Sequence, residues 1–80
     1  MNLKQTWEKQ QQDELARLLK WAGGQTNLAT FLGVSAQTVH NWVQRGRISA
    51  TEALHIDELT EGLFKKKQLR PDVHKWRDEQ

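Results

Sequence analysis

The placement of five glycines constrains this chain more than any other feature. Gly23-Gly24, Gly33, Gly46 and Gly62 each follow a stretch whose apolar residues recur every three or four positions. That is the period of a helix with one buried face, and a glycine just past such a face is a helix stop. In the first stretch Leu15, Leu18, Leu19 and Ala22 fall at i, i+3, i+4 and i+7. The spacing predicts a helix from about Leu3 to Ala22, with Asn2 as N-cap and with Leu3, Trp7 and Trp21 on the edge of the buried face. A second helix, Gln25 to Leu32, buries Leu28, Ala29 and Leu32. A third starts at the N-cap Ser35 and runs to about Gln44, with Val39, Trp42 and Val43 inside. A fourth opens on Ser49-Ala50-Thr51-Glu52, a capping box. It carries Ala53, Ile56 and Leu59 to its stop at Gly62. Pro71 keeps Arg70 out of the helical region, so the chain turns there. Val73 to Trp76 then form a short last element, helical or extended. Trp21 and Trp42 are expected in the core. No run alternates apolar and polar residues as a half-buried strand does.

Eighty residues make one domain. The chain lacks cysteine, so neither a disulfide nor a thiolate metal site supports it. No apolar run reaches the length of a bilayer span, and the start of the chain lacks the apolar stretch of a signal peptide. A soluble, cytoplasmic protein is the expectation. His40, His55 and His74 lie 15 and 19 residues apart, which is not the spacing of a helical ligand pair. Neither a metal nor another cofactor is expected. No phosphate loop and no nucleophile paired with a base is visible, so an enzyme is not expected, and the carboxylates are assigned to outer helix faces.

The charge is unevenly distributed. Residues 15–51 carry Arg17, Lys20, Arg45 and Arg47 and no acid, while the segments on either side hold more acids than bases. A polyanion can lie along the middle segment without meeting a carboxylate. The run Lys65–Lys67 stands close to Glu58, Glu61 and Asp72, and is read as a solvated charge run.

That middle segment contains two short helices joined by a glycine turn, the helix-turn-helix unit. Ala29 allows the pair to approach closely, Gly33 makes the turn, Val34 fills the corner, and Val39 and Trp42 bury the inner face. In such a unit the outer face of the second helix enters the major groove. Its outward residues are Ser35, Ala36, Gln37, His40, Asn41 and Gln44, with Thr38 a weaker candidate. Gln37 and Asn41 stand one turn apart, and amide side chains pair with adenine N6 and N7. Ala36 is small enough to touch a thymine methyl, and His40 can donate to a base or a phosphate. Arg45 and Arg47, just beyond the helix, are the phosphate cations.

Ala29, Gly33, Val39 and Trp42 match the pattern of phage helix-turn-helix repressors. The stretch from Gly24-Gln25-Thr26 through Leu32-Gly33-Val34 to Arg45-Gly46-Arg47 resembles the Cro repressors of lambdoid phages. Gly46-Arg47-Ile48-Ser49-Ala50, Leu59-Thr60-Glu61-Gly62 and Leu69-Arg70-Pro71-Asp72 are similar to the Cro-like YdaS family of prophage proteins. The resemblance covers about residues 13–76, with 1–12 as a helical extension and 77–80 as a flexible tail. It departs at Ser49, where such proteins often carry proline. It implies an all-α, four-to-five-helix domain of the lambda-repressor type. It also implies a dimeric repressor on double-stranded operator DNA, with Gln25 and Thr26 at a helix start holding a phosphate. A different class stays open beside it: an antitoxin-like module that binds a protein from the same operon. For Leu3 and Trp7 two readings stand side by side. They pack on a partner, most simply a second copy, or the segment folds back on Phe64, Val73 or Trp76.

Overall fold

The computed structural model describes residues 3–77, and side chains from residue 6 to residue 76. Its elements are α1 (Leu3–Ala22), α2 (Gln25–Leu32), α3 (Ala36–Arg45), α4 (Ala50–Leu59), α5 (Lys66–Leu69) and α6 (His74–Arg77). No strand occurs among the described residues. Asn2 and the tail from residue 78 lie outside them.

Helix boundaries follow local chemistry. Ser35 sits extended before α3 and its hydroxyl accepts from the Thr38 N–H. Ser49 does the same for Glu52 at the start of α4. Glu52 reaches forward to His55 Nδ1 at 3.0 Å, so the capping box is formed in its serine half. At the end of α2 the left-handed Gly33 donates to Ala29 and Thr30, and Val34 donates back to Ala29. These bonds satisfy carbonyls that a helix end otherwise leaves open. Removing either serine hydroxyl is expected to cost about 1 kcal/mol. For a domain of this size that lowers the melting midpoint by roughly 4–8 °C, read by circular dichroism on Ser35→Ala and Ser49→Ala.

α4 ends earlier than Gly62. Its last helical residue is Leu59, and the cap runs through the next residues: Glu61, at a positive φ of 52°, donates to Glu58 and Gly62, at φ 83°, donates to Asp57. The Thr60 hydroxyl donates to the Ile56 carbonyl and accepts from the Phe64 N–H in the same turn. The turn delivers Phe64 into the core.

One continuous core joins all the main helices. Leu15 and Leu18 of α1 meet Leu28, Ala29 and Leu32 of α2, Val39 and Trp42 of α3, and Ala53 and Ile56 of α4. Ile48 and Phe64 from the connecting segments, Leu69 of α5 and Trp76 of α6 close it. Trp42 is 2% exposed, but Trp21 is 47% exposed, so only one of the two tryptophans assigned to the core is there. Trp21 lies against the outside, with its ring edge-on to Phe31 and Phe64 at 5.4 and 5.3 Å. Leu59 is also exposed, because the helix stops beside it.

The lysine run is not simply solvated. Lys66 and Lys67 begin the single-turn α5, the Asp57 carboxylate accepts from the Lys66 N–H at 2.9 Å, and the Lys66 ammonium stands 5.6 Å from the Trp76 ring centre. Leu69 anchors that turn in the core. Asp57 shows that the acids do not all sit on outer faces.

Candidate nucleic-acid interface

The outer surface of α3 is polar and open. Ala36, Gln37, His40, Asn41 and Gln44 are all exposed. Positions 37, 40, 41 and 44 follow the i, i+3, i+4, i+7 pattern, so their side chains share one face. Gln37 Nε2 donates to Asn41 Oδ1 at 3.0 Å. That bond fixes the two amides as a pair, with the Asn41 amino group and the Gln37 carbonyl oxygen left for an outside partner. Thr38 is half-buried and its hydroxyl pairs with Ser35 at 2.9 Å. These two therefore serve the helix cap first.

Beside α3 stands the start of α2. Gly24 precedes it with no side-chain cap, and the first helical N–H bond runs from Leu28 to Gly24. The amides of the first turn, next to exposed Thr26 and half-buried Gln25, are left for an acceptor from outside. The N-terminal end of a helix carries a partial positive charge that favours an anion.

The other flank of α3 is built by the turn at Gly46. This residue has φ 78° and donates to Trp42 and Val43. A Cβ placed on it would lie 3.1 Å from the Gln12 side chain of α1, so glycine is needed for its backbone, and the turn passes close to α1. The turn sends Arg45 and Arg47 outward. Arg45 has no ion pair among the described residues, whereas Arg47 Nη1 is 3.6 Å from Asp72 Oδ2. A hollow of about 240 Å³ opens here between Arg45, Arg47, Arg70 and the first residues of α4.

Arg70, Asp72 and Gln11 are the residues that sequence reasoning did not single out. Arg70 Nε and Nη2 donate to Asp72 Oδ1 and Oδ2, each at 2.8 Å, and Arg70 Nη1 donates to the Ile48 carbonyl at 3.0 Å. Gln11 Nε2 donates to Asp72 Oδ1 at 2.8 Å. Among the described residues Gln11 is the one buried polar side chain, 4% exposed. The network thus ties α1 to the loop that follows α3. The Arg70–Asp72 half had a readable signal. The residue before a proline is kept out of the helical region, and the Val73 N–H closes a turn on the Arg70 carbonyl across which Arg70 meets Asp72.

The Arg70 hydrogen bonds hold the Asp72 carboxyl below the usual carboxylate range, against partial burial, with a smaller contribution from Arg47. A lowered folded pKa means that folding favours the ionised form. This stabilisation is complete above the unfolded pKa and is lost as pH falls through the folded one. Wild type is therefore expected to melt above Asp72→Asn at neutral pH, with the gap closing in strong acid. Melting curves of both proteins across pH measure it.

Trp7 is half-buried and engaged by a neighbour within the chain, while the side chain of Leu3 lies outside the described ones. Among the described residues no three histidine, aspartate or glutamate side chains group as a metal set, and no helix is long and apolar enough to cross a membrane.

Compared with known proteins, residues 15–78 match the model of one family, described as bacterial toxin YdaS. No curated protein and no solved structure matches the chain.

Proposed function

The chain belongs to the YdaS family, and from that premise we propose that it binds duplex DNA sequence-specifically, as a prophage transcriptional repressor. The observation that carries the reading is the face formed by Gln37, His40, Asn41 and Gln44, exposed together and set between an uncapped helix start and two arginines. α3 lies in the major groove with the Gln37–Asn41 amide pair toward adenine. The α2 amides, Gln25 and Thr26 hold phosphate on one side, and Arg45 and Arg47 on the other. Ser35 and Thr38 steady the start of the helix. Two copies on a two-fold operator, with half-sites about 34 Å apart, exclude polymerase from the promoter. The site of action is the bacterial cytoplasm. Selection from a random pool of duplexes tests the reading. A recovered motif with two-fold symmetry supports it, and a pool without enrichment contradicts it.

The word toxin in the family's description supports a second reading, in which the chain acts within a toxin–antitoxin-like pair and its first partner is a protein of the same operon. A Gln37→Ala/Asn41→Ala protein separates the two. If it still binds that partner and alters growth as wild type does, DNA contact is secondary.

A further inference from the structure

Asp72 uses its two oxygens differently. Oδ1 accepts from Gln11 and from Arg70 Nε, which are both held by the fold. Oδ2 accepts from Arg70 Nη2 at 2.8 Å and faces Arg47 at a looser 3.6 Å. The Arg47 side chain is half exposed and lines the hollow shared with Arg45 and Arg70. Arg47 is thus the one cation of this set whose link to the carboxylate is long, single and open to water. Arg70 is fixed by three hydrogen bonds and stays where it is.

We propose that Asp72 is a built-in counter-ion for Arg47, a positioning residue whose hold on that guanidinium a DNA phosphate has to displace. The inference rests on the DNA-binding reading and deepens it. An anion entering beside Arg47 meets a cation already partly neutralised, so the flank adds less sequence-independent affinity than its arginines suggest. Discrimination is then left to α3. Gln11 holds the carboxylate from the far side, which keeps Oδ2 turned toward Arg47 and brings α1 into the same device.

The test is a double-mutant cycle on the full chain, with a short random-sequence duplex as probe and fluorescence anisotropy over a salt series. Asp72→Asn keeps an oxygen for Gln11 and Arg70 Nε and replaces the one that faces Arg47 and accepts from Arg70 Nη2, while Arg70 keeps its bonds to the retained oxygen and to the Ile48 carbonyl. It is expected to tighten random-duplex binding about two- to fivefold, the size of an exposed ion pair. The log–log salt slope should steepen by up to about 0.9, one more phosphate contact. Most of that gain should vanish in the Arg47→Ala background. A gain of equal size in both backgrounds means that Asp72 acts only through net charge, and overturns the proposal. So does weaker binding by a folded Asp72→Asn protein. Where that variant melts below the assay temperature, side-chain NMR of wild type takes its place. The Arg47 guanidinium and Asp72 carboxyl signals are expected to move together as the random duplex is added, and an unmoved Asp72 signal overturns the proposal. No binding of any duplex by wild type contradicts the DNA reading itself, a result distinct from binding that does not depend on Asp72.

Discussion

Trp42→Ala is expected to remove a large share of the chain's stability. The indole is 2% exposed and packs at the centre of the core shared by α1 to α4. Truncating a buried tryptophan costs about 3–5 kcal/mol, part lost transfer energy and part cavity. A domain of this length has roughly 4–12 kcal/mol in all, so one substitution removes a large share of it. Trp42 lies in α3 itself, so losing its anchor in the core also loosens the helix that carries Gln37 and Asn41. Trp21→Ala is the contrast. That ring is 47% exposed and loses chiefly two edge-on contacts, about 1 kcal/mol. Urea unfolding followed by circular dichroism should rank the two variants in that order, with the Trp42→Ala midpoint far below that of wild type and the Trp21→Ala midpoint close to it.

The second large effect concerns recognition. Gln37→Ala and Asn41→Ala are each expected to weaken binding to the selected duplex by about 1–3 kcal/mol and to relax preference at the contacted base pairs. The two losses should not add. Gln37 donates to Asn41, so removing either leaves the other without its orienting partner, and contacts that share a bond couple. Arg45→Ala should behave differently. Its guanidinium has no ion pair among the described residues, so its loss should weaken all duplexes alike and flatten the salt slope by about 0.9. Anisotropy with selected and shuffled duplexes, each over a salt series, separates the two patterns.

The sequence announced the helices well where the signal was local. Ser35, Ser49 and the glycines after α2 and α3 mark boundaries through a hydroxyl or a left-handed residue, within a turn of the position concerned. Signals failed where a distant segment decides. Periodicity places Trp21 on the rim of the α1 stripe, but its burial depends on how far Phe31 and Phe64 cover it. Lys-Lys-Lys-Gln favours helix by propensity but carries no apolar period to place one. α5 forms because Leu69 is buried and Asp57, nine residues back, accepts from its first N–H. The stop of α4 comes through Gly62 as expected, but three residues early, because the left-handed Glu61 ahead of it and the Thr60 hydroxyl share the cap.

The interface shows the same division. The open face of α3 was legible from helical spacing, since the positions not needed for packing are the ones exposed. The support behind Arg47 was not. Gln11 and Asp72 are 61 positions apart, and neither periodicity nor charge counting joins them. A glutamine in a polar run gives no hint that it is buried against a carboxylate.

The most direct test of sequence-specific DNA binding is the affinity of the wild-type chain for the duplex recovered by selection against a shuffled duplex of equal length and composition, at physiological salt. The account predicts binding tighter by at least about a thousandfold on a motif with two-fold symmetry. Equal affinity for the two duplexes would contradict it.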